Sequence, residues 1–348
     1  MKPVAAREPS VVTFDGDIDA WNDFVAPADG STFCHLAEWR EIMADVLGHE
    51  PIYKLILGED GEWQGTLPLV RVRSRIFGHY LISMPFLNYG GPIGSREARM
   101  RLTTEAVAVA QRHGVDLLEL RARQPVPADL KLSDRKITVL LELPTEAEAL
   151  WREGFNGKLR SQIRRPQKEG MEVRFGLEQV DAFYEVFARN MRDLGTPVLP
   201  RKLFERMAAV FPDLVVVGTV YWRETPVAAG WGFKWRDEYE MTWASALREY
   251  SRMAPNMLLY WSFMERMIQQ GTRVFNFGRC TPGGGTHRFK AQWGGVDTPL
   301  PWAQWAPGVV GSTPSPERPL FKVATAAWGR MPLGLANRLG PFLARQLP

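Results

Sequence analysis

One order of predicted elements constrains the fold most strongly, because it occurs twice along the chain. In the first half, residues 52–57 and 63–72 alternate apolar and polar side chains on either side of a turn, which predicts a β-hairpin. Residues 96–113 then have the apolar spacing of a helix, and Gly114 is suited to end it. The apolar run 115–121 is typical of a buried strand. The predicted order is therefore hairpin, helix, glycine and strand.

The second half repeats this order. Residues 214–221 and 227–235 predict a second hairpin, residues 238–244 add a strand, and Pro255 suits the first turn of a helix. Residues 274–277 then form another apolar strand. Each half ends with a helix, a glycine, an apolar strand carrying one polar residue, and an arginine. A diverged duplication produces this pattern, although matches this short also arise by chance.

The length of 348 residues fits two domains better than one. We expect a first domain over residues 1–144 and a second over residues 145–306, with a helical connector at the start of the second. Residues 307–348 form a separate tail, because their first part is rich in Pro, Gly and Ser.

The tail has an unusual charge pattern. Beyond Glu317 it contains no acidic residue, and its basic residues alternate with large apolar ones. Contact of residues 318–348 with an anionic membrane surface is therefore one prediction. Packing on the core or on a partner subunit fits the pattern equally well, since Pro332 and Pro341 are expected to break any long helix.

Composition and missing motifs exclude several classes of protein. A net charge of +4 is too small for a DNA-binding composition. The chain lacks a G-x-S-x-G elbow, a Walker A motif and a G-x-G-x-x-G motif after its first strand. Its five histidines lack metal-ligand spacing, so no bound metal is expected. Two isolated cysteines, and a start without the apolar core of a signal peptide, favour the cytoplasm.

A basic cluster follows the predicted connector. Asn156 is suited to cap a short helix on which Arg160, Arg164 and Lys168 recur every four residues. Such a stripe can hold a phosphate, and it can equally be a solvated basic face.

An aromatic cluster lies on the predicted strand 227–235. Trp231, Phe233 and Trp235 alternate with Gly232 and Lys234 and therefore share one face. An aromatic face suits a sugar ring or a lipid, so these three residues are candidates for binding the acceptor. Packing of the sheet against a helix is the more common reason for such a face.

The third cluster joins a strand, a glycine-rich turn and a short helix over residues 275–294. Arg279 lies in the turn and Lys290 on the helix. Glycines permit close backbone approach, and two cations beside backbone N–H groups suit an oxyanion or a phosphate. A structural loop with solvent-facing cations is the alternative.

These residues also resemble a known family. Residues 275–294 read F-N-F-G-R-C-T-P-G-G-G-T-H-R-F-K-A-Q-W-G. They resemble the F-D-F-G-R-S-T-P-x-S-G-T-x-x-F-K-x-x-W-G signature of FemAB-like proteins associated with PEP-CTERM and exosortase systems. Residues 159–170 resemble the family's basic segment, R-x-x-x-R-K-A-x-K-x-G, and the likeness extends over most of the chain. The resemblance implies an α/β (α+β) fold of two tandem GNAT-like domains, with mixed sheets flanked by helices.

The resemblance also implies chemistry. It suggests transfer of an N- or O-linked acyl or aminoacyl group to a glycan or lipid-linked acceptor in exopolysaccharide or cell-envelope assembly. A family lysine of the donor site corresponds to Lys290. We expect Arg279 and Lys290 to stabilise the tetrahedral oxyanion, and Tyr239 or Tyr260 to relay the proton of the leaving group.

The expected donor site lies at the start of the helix that Pro255 opens. Arg252 and Asn256 flank this start, where helix N–H groups favour anions, and Arg160 and Arg164 are further candidates for donor phosphates. Acyl-CoA is the expected co-substrate and no tightly bound cofactor is expected. Aminoacyl-tRNA is less favoured as a donor, because the chain lacks the long charged heptad stretch of many tRNA-dependent relatives.

The chain departs from the family signature at Asn276 and Cys280, and Pro166 interrupts the basic segment. Asn276 replaces an aspartate and Cys280 replaces a serine. If the aspartate serves as a base, Glu119 at the equivalent place in the first half is the alternative, with a salt bridge to Arg121 as its other use. A non-catalytic protein that binds envelope glycans or export machinery is the rival interpretation. In either case we expect a cytoplasmic protein, with the inner face of the membrane as its possible site of attachment.

Overall fold

A computed structural model describes residues 10–126, 130–133, 135–308 and 319–347. Its strands are β1 Ser10–Thr13, β2 Glu50–Leu57, β3 Trp63–Ser74, β4 Gly78–Ile82, β5 Ile93–Gly94, β6 Leu117–Leu120, β7 Lys131–Ser133, β8 Ile137–Glu142, β9 Glu172–Phe175, β10 Val215–Trp222, β11 Thr225–Trp235, β12 Glu238–Ala246, β13 Val274–Cys280, β14 Val296–Pro299 and β15 Trp302–Trp305.

The α-helices are α1 Ile18–Val25, α2 Trp39–Glu41, α3 Arg96–His113, α4 Ala147–Ala149, α5 Gly157–Lys168, α6 Val180–Asp193, α7 Arg201–Val210, α8 Pro255–Gln269, α9 Gly285–Ala291, α10 Pro319–Trp328 and α11 Leu333–Ala344. Helices α2 and α4 continue as π-helical turns, Ile42–Val46 and Leu150–Gly154.

Local sequence signals explain the ends of these elements. Helix α3 begins where the Ser95 hydroxyl accepts the Ala98 N–H at 3.1 Å, and it ends at Gly114 in the left-handed conformation. Pro255 occupies the first turn of α8, and Gly271 follows that helix with positive φ. The two predicted hairpins are confirmed as β2–β3 and β10–β11.

The chain divides into two compact units. Unit 1 comprises residues 1–134, 300–314 and 345–348, and unit 2 comprises residues 135–299 and 315–344. The sheet of unit 1 has the order β1-β2-β3-β4-β6-β15-β7, with β5 paired to β3. Its core contains apolar residues of α3 together with those of the central strands.

Unit 2 contains the second mixed sheet, in the order β14-β8-β13-β12-β11-β10-β9. Helices α5 and α8 pack on one face, where Leu159 and Ile163 of α5 are buried. Helices α6 and α7 cover the other face with an aromatic cluster that includes Phe183 and Phe204. The predicted fold class, mixed sheets flanked by helices, is confirmed.

The boundary between the units differs from the predicted one at residue 144. Strand β8, expected in the first domain, pairs with β13 and β14 in the sheet of unit 2. Strand β15, expected in the second domain, pairs with β6 and β7 in the sheet of unit 1. Strand pairing between segments distant in sequence therefore sets the boundary, and composition does not reveal it.

The tail also departs from expectation. Pro341 lies inside α11, so it does not end a helix as predicted. Pro332 does precede the start of α11. Part of the predicted loop after Pro307 lies outside the described residues, as does Arg318.

Candidate active site

The candidate active site of unit 2 lies where two parallel strands diverge. Strands β12 and β13 are nine and seven residues long, yet their pairing covers only three positions and ends at Glu240 and Asn276. Thr242 is an extra residue in the pairing of β12 with β11, which forms a β-bulge just beyond this point. A bulge increases local twist and bends its strand, so it contributes to the divergence.

Asn276 organises the end of β13 through three hydrogen bonds. The fully buried side chain accepts the Gly278 N–H at 2.9 Å and the Thr138 hydroxyl at 2.5 Å through Oδ1. Its Nδ2 donates to Glu238 Oε1 at 2.8 Å. Because a backbone N–H can only donate, the Gly278 bond places Oδ1 and leaves the amino group toward Glu238.

The asparagine that stands in place of the signature aspartate is complemented by Glu238, which accepts its N–H. An aspartate at position 276 would have no N–H for Glu238 and would place two carboxylates in contact. Asn276 is thus a structural amide that shapes the strand end, and it does not have the chemistry of a base.

Lys290 reaches the same strand end from α9. Its side chain is only 4% exposed, and Nζ donates to the carbonyl oxygens of Gly278 at 2.7 Å and Arg279 at 3.0 Å. Burial lowers the pKa of Lys290 to about 8. The ammonium group therefore fixes the backbone of the strand end, and two of its three N–H groups are committed to that contact.

Glu240 is a buried carboxylate at the point of divergence. The residue is 2% exposed and lies opposite Asn276 in the register of β12 and β13. Its Oε1 accepts the Thr242 hydroxyl at 3.3 Å. The negative charge of Glu240 partly opposes the lowering of the Lys290 pKa. Sequence patterns do not single out this residue, although two glutamates flanking Tyr239 in an otherwise apolar strand are an available signal.

The predicted tyrosines face the α8 core. Tyr239 stacks on Phe263 with ring centroids 5.6 Å apart, and Tyr260 stacks on Phe277 at 5.7 Å. Burial raises the pKa of both hydroxyls. Both stay protonated at neutral pH, so neither can act as a base and only proton donation is open to them.

The predicted aromatic acceptor face is largely core. Trp231 and Phe233 are fully buried, and Trp231 contacts the rings of Phe183 and Phe204. Trp235 is half-buried at the end of β11. Burial corrects the assignment of Trp231 and Phe233, because an acceptor cannot reach enclosed rings.

The predicted basic stripe is partly engaged by its own chain. Asn156 caps α5 as expected, by accepting the Leu159 N–H at 2.9 Å. Arg160 donates to carbonyl oxygens that end the preceding turn, among them that of Trp151 at 3.2 Å. Arg164 lies over the Trp151 ring at 5.2 Å. Arg160 thus has a structural use, and phosphate binding by Arg160 and Arg164 stays a prediction.

The predicted donor site lies at the start of α8. Ala254 is the N-cap residue, has left-handed φ, and makes no side-chain capping bond. Arg252 is exposed in the preceding turn, and Asn256 is half-buried in the first turn of the helix. Pro255 has no N–H and the Met257 N–H donates to the Ala254 carbonyl at 3.0 Å, so the Asn256 N–H, the helix dipole and the nearby Arg252 are the features that suit an anion at this helix start.

A second cation accompanies Arg279 at the end of β13. Lys136 Nζ donates to the Thr281 hydroxyl at 2.7 Å, and Thr281 follows β13 directly. Burial, and then the charge of Arg279, lower the pKa of Lys136. This end of the strand is therefore electropositive, a feature that becomes visible only when β8 is placed beside β13.

Glu119 forms the salt bridge to Arg121 that was the predicted alternative to a catalytic role. In unit 1 its Oε1 accepts Arg121 Nε at 2.8 Å and its Oε2 accepts Gln304 Nε2 at 2.8 Å. One carboxylate oxygen is therefore engaged in a buried ion pair and the other by an amide, which corrects the assignment of Glu119 as a catalytic base.

Two broader features complete the description. Among the residues that the structure describes, no group of three or more His, Cys, Asp and Glu side chains could hold a metal ion. No helix in the described part of the chain has the length and apolarity needed to cross a bilayer.

Comparison with known proteins supports this geometry. Residues 155–291, which include α5 to α9, match the sequence model of the acetyltransferase (GNAT) domain. No curated protein matches the chain. Among solved structures, the crystal structure of FemX matches this chain with a TM-score of 0.65 at 12% sequence identity. The match covers 90% of this chain and 100% of the FemX chain.

Two further structures have the same fold. The C-terminal domain of a putative lysylphosphatidylglycerol synthetase from Agrobacterium fabrum has a TM-score of 0.58 at 15% identity, covering 89% of this chain and 94% of its own. A tandem GNAT protein from the clavulanic acid biosynthesis pathway has a TM-score of 0.53 at 13% identity, covering 86% and 99%. The chain therefore contains an acetyltransferase (GNAT) domain over residues 155–291 and has the tandem GNAT-like fold.

Proposed function

We propose that unit 2 is an acyltransferase that moves an acyl group from a thioester donor to an amine or hydroxyl acceptor. The observation that carries this proposal is the divergence of β12 and β13 at Glu240 and Asn276, inside the segment that matches the GNAT domain. Diverging strands offer backbone hydrogen-bonding groups to a donor that lies between them.

The donor is acyl-CoA, the co-substrate of GNAT domains. Its diphosphate binds at the start of α8, where the Asn256 N–H, the helix dipole and Arg252 favour an anion, and Asn256 adds a polar side chain. The thioester then lies near the divergence, because β12 leads through a short turn to this helix.

Glu240 accepts the proton of the acceptor nucleophile in this proposal. A buried carboxylate that can take up a proton from an amine or hydroxyl is suited to general-base catalysis. The nucleophile attacks the thioester carbon, Arg279 stabilises the resulting oxyanion, and the carbon–sulfur bond breaks as the carbonyl re-forms. Tyr260 donates the proton that the leaving thiolate takes up; Glu240 then releases its proton to solvent and the Tyr260 phenolate takes one from solvent, so both groups return to their starting states.

Lys290 has a positioning role. Its bonds to the Gly278 and Arg279 carbonyls hold the end of β13, which carries the Arg279 side chain. This assignment replaces the expected direct contact of Lys290 with the oxyanion, because the ammonium group is buried and already bonded to backbone.

The acceptor is a glycan or lipid-linked precursor of the cell envelope or an exopolysaccharide, at the cytoplasmic face of the membrane. The support is the resemblance of residues 275–294 to FemAB-like proteins of PEP-CTERM and exosortase systems, together with the FemX fold. Likeness to a putative lysylphosphatidylglycerol synthetase domain favours aminoacyl transfer as the second candidate reaction. A non-catalytic glycan-binding protein is the third reading.

Titration calorimetry of the full chain with acetyl-CoA, a longer acyl-CoA and free CoA tests the proposal. We expect binding of all three, weakened in Arg252→Ala and unchanged in the control Arg206→Ala on α7. Mass spectrometry with candidate acceptors then reports transfer. Transfer from aminoacyl-tRNA alone would overturn the acyl-CoA assignment, and absence of binding to every donor would support the non-catalytic reading.

A further inference from the structure

Helix α11 has an inverted distribution of side-chain sizes. Its buried residues are the small ones, Ala336, Gly340 and Ala344, which recur every four residues along one face. A Cβ built on Gly340 would lie 2.9 Å from a Val198 side-chain carbon, so this face packs closely against unit 2. The helix therefore meets the protein through its smallest side chains.

The opposite side of α11 exposes its largest apolar residues. Leu335, Leu339 and Phe342 are 47%, 41% and 53% exposed, and their spacing of four and three residues places them on one face. These are three of the nine large apolar side chains that are exposed in the described residues. An ordinary surface helix turns such residues inward, so this concentration marks an interaction surface.

The charge around this face indicates what it contacts. Residues 318–348 contain five basic residues and no acidic residue. Arg338 lies on α11 and Arg330 shortly before it, and both are exposed. Within the tail, this apolar face is accompanied by basic residues and by no acidic one, a pattern that matches a bilayer surface, whose headgroups are anionic and whose interior is apolar.

We propose that the α11 face, defined by Leu335, Leu339 and Phe342, binds the surface of an anionic phospholipid bilayer. The three apolar side chains enter the boundary between headgroups and acyl chains, and Arg330 and Arg338 contact lipid phosphates. This is surface attachment. It does not depend on the proposed transfer reaction, because no residue of the candidate active site takes part.

Sedimentation of the full chain with lipid vesicles tests the proposal. We expect binding to vesicles of phosphatidylcholine with phosphatidylglycerol, and binding weaker by about tenfold or more to phosphatidylcholine alone or in high salt. Leu339→Ser combined with Phe342→Ser should abolish binding. The matched control Ile76→Ser changes another exposed apolar residue, on the loop between β3 and β4, and should leave binding unchanged.

Hydrogen exchange of the unaltered protein tests the same surface without a substitution that could disturb folding. Anionic vesicles should slow exchange in residues 333–344. Equal binding to both kinds of vesicle, unchanged exchange in α11, or binding that survives the double substitution would overturn the proposal. A dimer in solution that the double substitution dissociates would also overturn it, because a second copy would then cover the face.

Discussion

The ends of strands β6 and β13 show how two similar folds place different chemistry at one position. In unit 1, β4 pairs in parallel with β6 over three positions and ends at Ile82 opposite Glu119. In unit 2, β12 pairs in the same way with β13 and ends at Glu240 opposite Asn276. At the end of the pairing, the carboxylate of unit 1 is therefore Glu119 on β6, the second strand of the pair. The carboxylate of unit 2 is Glu240 on β12, the first strand of the pair.

The two strand ends are closed by different means. In unit 1, Arg121 lies two residues beyond Glu119 and donates to the carbonyl oxygens of Met84 and Leu87 at 3.2 and 2.9 Å. The loop that follows β4, with Met84 in the left-handed conformation, is thus held to the end of β6 by hydrogen bonds from Arg121, which also forms the ion pair with Glu119. In unit 2, Gly278 takes the place of Arg121, and α9 supplies a cation through Lys290 instead.

In each repeat the polar residue of the second strand, Glu119 or Asn276, has a structural role. The residue paired with it on the adjacent strand determines whether a group for catalysis is available. Both polar atoms of the Glu119 and Asn276 side chains make hydrogen bonds within the protein. Opposite them, Ile82 is inert and Glu240 is a carboxylate. We therefore expect chemistry in unit 2 and structural stability in unit 1, and the following variants test that division.

Glu240→Gln should have the largest effect. The amide cannot accept the nucleophile's proton, so we expect transfer to fall by about 10²- to 10⁴-fold with the melting temperature little changed. Steady-state kinetics measures the loss. Glu249→Gln, which changes an exposed glutamate of the same unit, is the control and should retain activity. Full activity in Glu240→Gln would remove this residue from the mechanism.

Glu119→Gln tests the other side of the comparison. It leaves the buried Arg121 without its counter-charge, so the free energy of unfolding should fall by about 3–5 kcal/mol. Urea denaturation measures that loss. Transfer per folded molecule should stay unchanged, and a stable variant with impaired turnover would instead make Glu119 catalytic.

Asn276→Asp introduces the aspartate of the FemAB-like signature and should destabilise this protein. The new carboxylate faces Glu238 and cannot donate to it, so we expect a loss of about 2 kcal/mol in the free energy of unfolding. Glu238→Gln added to this variant supplies an amide on the other side and should recover most of the loss. Additive losses in the double variant would contradict the assigned contact.

The lowered pKa of Lys290 should make the free energy of unfolding depend on pH, with a smaller effect than the variants above. Its pKa is about 8 in the folded protein, below the ordinary 10.5, so between these values the unfolded chain binds the proton and the folded protein does not. Stability therefore rises with pH in this window, by about 1 kcal/mol between pH 8 and pH 9. The difference in the free energy of unfolding between the unaltered protein and Lys290→Met isolates the effect. A difference that falls as the pH rises would contradict a lowered pKa of Lys290.

Much of the fold follows from local signals. The hairpins, the start of α8 at Pro255 and the end of α3 at Gly114 depend on residues close in sequence, because turns and caps are made by neighbouring backbone and side chains. The inward positions of α5 follow from its periodicity. The electropositive end of β13 is only partly predictable, since Arg279 is visible in the motif and Lys136 arrives from β8.

The amino-acid sequence by itself determined the repeated order of elements, the mixed α/β class and the motif at residues 275–294. Only the tertiary structure decided which polar side chains form internal hydrogen bonds and which aromatic side chains are buried in the core. It paired Glu119 with Arg121 and Gln304, matched Asn276 to Glu238, and buried Trp231. The physical reason is that caps and periodicity act over a few residues, whereas burial and hydrogen-bond saturation depend on strands that arrive from distant parts of the chain.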